Sequence, residues 1–216
     1  MEKHMDYMAR RFREEQLKNE TLHAFGDSFT YGYDLSDCPT NSIMTNIAPS
    51  KLTYSALFAE HYGNNYECHA IGFSANNGIL RQIKKADIDS HDMCFIMWSF
   101  PTRYAFMLKK EDGYYTLDYD NHKWWWDNVE QHTDQCLDRS VDSILAAQAI
   151  LDKIGCNYTF LFNNIELQDE IQYNKHIHEH RCLFLSKQHK MINHDNMTHP
   201  GDDVHKDVFN ILKDRM

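Results

Sequence analysis

The chain has few of the residues that break a fold into pieces. It holds four prolines and eight glycines in 216 positions, none gathered into a linker, so one compact domain is expected at this length. Long apolar runs are also missing. The longest, Met93–Trp98, is six residues, against the roughly 18 needed to cross a bilayer, which excludes a helical membrane span. Met1–Glu20 is crowded with both signs of charge and lacks the apolar stretch of a secretory leader. The six cysteines (Cys38, Cys68, Cys94, Cys136, Cys156 and Cys182) stand far apart with no Cys-x-x-Cys pair. That excludes a zinc ribbon and, without a leader, predicts reduced thiols in a cytoplasmic chain. Basic charge is scarce as well. With 22 Lys and Arg against 32 Asp and Glu, the net charge is −10, and no broad positive surface exists for a phosphate backbone. Nucleic acid is not expected as a main partner.

What is present is a globular composition, 42% apolar and 25% charged, long enough to hide roughly 70% of the unfolded surface without staples. Met1, Met5, Met8 and Phe12 make one helical stripe, predicting an N-terminal amphipathic helix over residues 1–20 ahead of a single domain, 21–216. Thr21–Phe25 reads as a strand ended by Gly26. Ser50 is the expected cap of a helix carrying Tyr54, Leu57, Phe58 and Tyr62 and closed by Gly63. Tyr66–Ile71 is a second strand, ending at Gly72, and Ile79, Leu80, Ile83 and Ala86 mark the next helix. Met93–Trp98 has the unbroken apolar character of a strand buried on both faces. A helix over Leu137–Ile154 ending at Gly155, a strand Asn157–Phe162 and a last helix with Val204, Val208, Ile211 and Leu212 complete the pattern. Strands alternating with helices predict a three-layer α/β/α domain with a parallel sheet. In such sheets ligands sit at the carboxyl ends of the strands, so chemistry is sought in the residues that follow each strand.

Those residues are Gly26-Asp27-Ser28 after the first strand, Gly72-Phe73-Ser74-Ala75-Asn76 after the second, and Trp98-Ser99-Phe100-Pro101-Thr102-Arg103 after the third. Asp195-Asn196-Met197-Thr198-His199-Pro200 leads into the last helix. From about Leu22 to Leu212 the set resembles the SGNH (GDSL-type) hydrolases, a flavodoxin-like family. The resemblance implies that Ser28 is the nucleophile, that the Gly72 N–H helps form an oxyanion hole, and that His199 is the general base. The family's third block, G-x-N-D, is replaced here by Met97-Trp98-Ser99-Phe100, which puts Ser99 at the donor position. This Trp-Ser-x-x-x-Arg form is similar to divergent members carried by bacteriophages, with Arg103 as its arginine. Asn76 and Arg103 join Ser99 as expected oxyanion or substrate-binding residues. The orienting acid lies three residues before the histidine in the family. That position is Asn196 here, with Asp195 one further back, and either is expected to hold His199.

Elementary chemistry supports the arrangement. A serine hydroxyl is a poor nucleophile until a base takes its proton, and an oxyanion donor is worth ~3–4 kcal/mol. The function expected is hydrolysis of an acyl or acetyl ester of a glycan, lipid or small molecule through an acyl-enzyme, with no cofactor or metal. The alternatives are a degenerate domain that binds a glycan or protein without turnover, or an acyltransferase using the same residues. Asp27 is expected to be a structural hydrogen-bonder and His205 a packed or capping side chain. The aromatic stretch Gly113–Trp126 predicts a hairpin insertion near 111–127, turning about Asp120-Asn121-His122 and serving as packing or as a binding platform. Seven of fourteen histidines fall between His176 and His205. His176, His178 and His180 would line one face of a strand, and His176 with His180 one face of a helix, but their charged neighbours read as a solvated segment rather than a metal site.

Overall fold

Five residues, Thr21–Phe25 (β1), form an inner strand of the sheet, with Leu22 and Phe25 buried on opposite faces. The structure is a computed structural model and describes residues 20–38, 48–107, 114–117, 123, 133–185 and 199–215. The expected N-terminal helix and the tryptophans of the aromatic stretch lie outside the described residues. After β1 come α1 (Ser28–Tyr31), α2 (Tyr54–Tyr62), β2 (Asn65–Cys68), α3 (Asn76–Lys85) and β3 (Met93–Trp98). Then follow β4 (Tyr104–Met107), β5 (Tyr114–Leu117), α4 (Thr133–Ile154), β6 (Asn157–Phe162), α5 (Ile165–Tyr173), β7 (Cys182–Phe184) and α6 (Asp202–Arg215).

The main sheet has the order β2-β1-β3-β6-β7 and every neighbouring pair is parallel. Alternation along β3 divides the core. Met93, Phe95 and Met97 pack with α2 and α6, whereas Cys94, Ile96 and Trp98 pack with α3, α4 and α5. The expected α/β/α layering is therefore observed. Each fully buried aromatic or branched side chain here contributes roughly 1.5–3 kcal/mol.

Several boundaries differ from expectation for identifiable reasons. The cap of α2 is Thr53, which accepts from Ala56 N–H at 3.2 Å. Ser50 instead donates to Asp37 and accepts from Leu52 N–H, fixing the loop before the helix. β2 ends at Cys68, while hydrogen bonds to the β1 side run on through His69 N–H to Ala24 C=O and Ile71 N–H to Gly26 C=O. After β3, Tyr104–Met107 pairs antiparallel with Tyr114–Leu117, whereas Asp120-Asn121-His122, about which the expected hairpin turns, lie outside the described residues. His176, His178 and His180 share neither helix nor strand. They span a loop and a single 3₁₀ turn, Glu179–Arg181, and all three are exposed. All six cysteines are free.

The order fixes where a ligand can sit. The chain leaves β1 for β2 on one side and reaches β3 on the other, so the crevice lies at the carboxyl ends of these strands. Ser28, Gly72 and Ser99 follow β1, β2 and β3 in turn.

Candidate active site

Ser28 opens α1, with Asp27 as its N-cap accepting from Phe29 N–H at 3.0 Å. Gly32 closes the turn in the left-handed region, its N–H reaching Ser28 C=O. Gly26, just before, has no room for a side chain, since a Cβ there would meet Thr30 Oγ1 at 2.1 Å. Gln82 on α3 clasps the same glycine. Its carbonyl accepts from Gly26 N–H at 3.1 Å and its amide donates to Gly26 C=O at 3.0 Å and Ser74 Oγ at 2.9 Å. The serine turn is thus held at both ends by buried polar contacts.

Beneath it lies a charged relay. Asp27 is buried and its Oδ2 accepts from Ser99 Oγ at 2.8 Å and from Arg103 Nη1 at 2.9 Å. Arg103 also donates to Ser99 Oγ at 3.0 Å. A hydroxyl has one proton, and Ser99 gives its proton to Asp27. Ser99 and Arg103 thus both hydrogen-bond the buried carboxylate that caps the serine turn. Asn76 is likewise committed. Its carbonyl accepts from Ser99 N–H at 2.7 Å, and its amide donates to Ser99 C=O at 3.1 Å and Ser140 Oγ at 2.9 Å. Asp27 is the structural hydrogen-bonder expected of it.

His199 lies just ahead of α6 and meets the loop that follows the serine turn. Its Nδ1 donates to Asp34 Oδ2 at 2.8 Å. Asp34 lies six residues beyond Ser28 with φ +66°, a left-handed conformation that aspartate tolerates better than most residues. A second tie joins the same two segments, Ser36 N–H and Oγ donating to the Asp202 carboxylate at 3.2 and 2.7 Å. Tyr33 fills the space between. Its ring meets His199 edge-on at 6.0 Å, its N–H reaches Ser28 C=O at 3.1 Å, and it covers Gly72 so closely that a Cβ there would lie 2.5 Å from Tyr33 Cε2. The tyrosine ring therefore requires glycine at 72. Among the described residues no hydrogen bond joins Ser28 to His199. Asp195 and Asn196 lie outside the described residues.

Two further features frame the crevice. Phe73 has φ +61°, costly for a bulky side chain and characteristic of functional turns. Of the three large apolar side chains most exposed among the described residues, Ile71 and Phe73 flank Gly72. His205, by contrast, is buried, accepts from Tyr54 N–H at Nδ1 and stacks on Phe29 at 4.4 Å. Burial pushes its pKa down to about 4. It is a helix cap in the core, as expected. Sequence reading missed Asp34, Tyr33 and Gln82. Only the glycine-rich spacing around Ser28 and Gly72 hinted that these turns have close neighbours.

No protein-family model matches the chain, and no curated protein does. Solved structures do match in fold. A carbohydrate esterase whose active site displays divergent catalytic and non-catalytic binding functions aligns with a TM-score of 0.57 at 14% identity, over 90% of this chain and 67% of that one. An acetyl-xylooligosaccharide esterase from Geobacillus stearmophilus aligns with a TM-score of 0.53 at 13% identity, over 93% and 95%. A protein assigned to the G-D-S-L lipolytic family, from Desulfitobacterium hafniense, aligns with a TM-score of 0.51 at 12% identity, over 92% and 100%. The chain spans about two thirds of the longer carbohydrate esterases, 63 to 67% of their length. No described helix is long and apolar enough to cross a membrane.

Proposed function

We propose that the protein hydrolyses a small acyl or acetyl ester, of a glycan or a small molecule, through an acyl-enzyme on Ser28. The observation that carries this reading is the His199 Nδ1 hydrogen bond to Asp34 at 2.8 Å, in a crevice at the carboxyl ends of β1, β2 and β3. With Nδ1 donating to a carboxylate, Nε2 is the nitrogen left to act as a base. Asp34 takes the orienting role that the family resemblance assigns to a residue just before the histidine. The fold shared with carbohydrate and acetyl-oligosaccharide esterases is consistent with it.

The steps balance without a cofactor. Ser28 Oγ bonds to the ester carbonyl carbon as its proton passes to His199 Nε2. The tetrahedral oxyanion takes hydrogen bonds from the Ser28 and Gly72 backbone N–H groups, the former in the first turn of α1 where amides lack intrahelical acceptors. Collapse breaks the ester C–O bond, and His199 returns the proton to the departing alcohol. Water then attacks the acyl-enzyme, again giving a proton to Nε2, and Ser28 recovers it as the acid departs. Asp34 stabilises the imidazolium formed in each half-reaction. Ser99, Arg103 and Asn76 hold the serine turn, and exposed Ile71 and Phe73 offer an apolar rim to the acyl group.

The second reading is a binding module that retains the crevice without turnover. The missing Ser28–His199 hydrogen bond favours it, although catalytic contacts often tighten only with substrate bound. A fluorophosphonate probe separates the two. Stoichiometric adduct at Ser28, located by peptide mass spectrometry and lost in His199→Ala, supports the esterase. A folded protein that stays unlabelled is the binding module.

A further inference from the structure

We propose that His23, Glu67 and His69 form a zinc site on the edge of the sheet, separate from the serine crevice. His23 lies in β1 opposite Glu67 of β2, and His69 follows β2 directly. Their ligating atoms already converge. His23 Nδ1 and His69 Nε2 are 2.9 Å apart, and Glu67 Oε2 lies 3.6 Å from the first and 3.5 Å from the second. A tetrahedral zinc with bonds of about 2.0–2.1 Å holds its ligand atoms about 3.3–3.4 Å from one another. The two glutamate separations fit as they stand. The histidine pair needs to open by about 0.4 Å, a side-chain rotation.

Around this triangle stands a second element that metal sites require. A ligating histidine ordinarily gives its other ring N–H to a carboxylate, which fixes tautomer and ring orientation. His23 Nε2 lies 3.1 Å from Asp92 Oδ2. That carboxylate is itself fixed, accepting from Thr21 N–H at 3.2 Å and Asp89 N–H at 2.9 Å. His23 is therefore aimed with Nδ1 toward His69 and Glu67 and cannot turn away without breaking a buried contact. Ring stacking adds rigidity, with His69 lying 4.7 Å from Phe25 and 5.2 Å from His23.

The chemistry selects the ion. Two imidazoles and one carboxylate suit zinc better than calcium or magnesium, which take oxygen ligands. Asp92 and Glu67 together supply the negative charge that a divalent cation balances. His23 is buried, His69 is half-buried and Glu67 is 58% exposed along its side chain. The fourth position thus opens to solvent at the sheet edge, where zinc would tie the edge strand β2 to its inner neighbour β1. None of these residues touches Ser28 or His199 in the contacts described above. The histidines at 176–180 offer no such convergence. Among the described residues His23, Glu67 and His69 are the one such group.

The test uses the full chain stripped with a chelator. Zinc is titrated against a chromophoric competitor, in parallel with Glu67→Gln and His69→Ala, both near the edge and checked for folding by circular dichroism. Cobalt replaces zinc in a second titration. The expected result is one tight equivalent in the wild type, weakened at least about tenfold by either substitution, the scale seen when a metal's supporting shell is lost. Cobalt should then show tetrahedral visible bands without the near-ultraviolet thiolate charge-transfer band. Absence of a tight equivalent in the wild type overturns the proposal. So does unchanged binding in both variants, or a thiolate band, which would move the metal to the cysteines.

Discussion

His199 Nδ1 donates to Asp34 Oδ2 at 2.8 Å across 165 residues of sequence. The bond joins the loop after the serine turn to the segment that opens α6, and the Ser36–Asp202 pair fastens the same two pieces. The segment that carries His199 is thereby fastened to the loop that follows Ser28.

Asp34→Asn tests the carboxylate with little disturbance. Asparagine also tolerates the left-handed backbone at this position and keeps a hydrogen-bonding side chain, but loses the charge and favours the wrong tautomer. The comparable change in serine proteases costs about 10⁴ in turnover. With Asp34 more exposed, the expected loss in kcat is about 10²–10³, with an unchanged circular dichroism spectrum. Full activity in Asp34→Asn would return the orienting role to Asp195 or Asn196.

Gly72→Ala acts through Tyr33. The added methyl would stand 2.5 Å from the tyrosine ring, which packs edge-on against His199. Turnover of a short ester is expected to fall by about 10- to 100-fold, as misplacement near the chemistry can cost this much. Tyr33→Gly in the same background is expected to recover part of it by removing the clash. Steady-state kinetics of the single and double variants checks both.

Arg103→Met should be costly to the fold rather than to substrate binding. It leaves Asp27 buried with its charge uncompensated, and losing one partner of such a pair costs about 3–5 kcal/mol. Urea unfolding is expected to show a loss of that order. The Asp27→Asn/Arg103→Met double variant should lose less than the sum of its single changes.

Acid should weaken the core through His205. Its pKa falls from the usual 6.5 to about 4 on folding, so the unfolded chain takes up a proton first as pH drops. Stability is complete above about 6.5, declines as pH falls toward 4 and is flat below. Between pH 7 and pH 5 this one group removes on the order of 2 kcal/mol. His205→Gln is expected to start less stable, having lost the stacking on Phe29, but to lose less across that interval. Equal slopes of stability against pH in the two proteins would contradict the assignment.

What could be read from the chain follows the physics of each element. β1, β3 and β6 were legible because apolar runs of strand length have few alternative uses, and Gly63 and Gly155 marked helix ends that the structure closes in the left-handed region. α5 and β7 were not. α5 buries mainly Leu167 and Ile171, and β7 is three residues long, too little for a periodic signal. Ser28, Gly72 and His199 stood out because they resemble motif blocks that follow strands. Asp34 did not, since an exposed loop aspartate acquires its role only when a distant histidine docks beside it. Asn76 and Ser99 stood out in the same way, but their partners did not: Asn76 bonds the Ser99 backbone and Ser140 Oγ, and Ser99 Oγ bonds Asp27, contacts that no local spacing reveals.

The most direct measurement is hydrolysis of p-nitrophenyl acetate by the wild type and by Ser28→Ala, both shown to be folded. Turnover by the wild type that falls at least about 10³-fold in Ser28→Ala, of the size found when a serine nucleophile is removed, is the predicted result. Equal rates in the two proteins would contradict it.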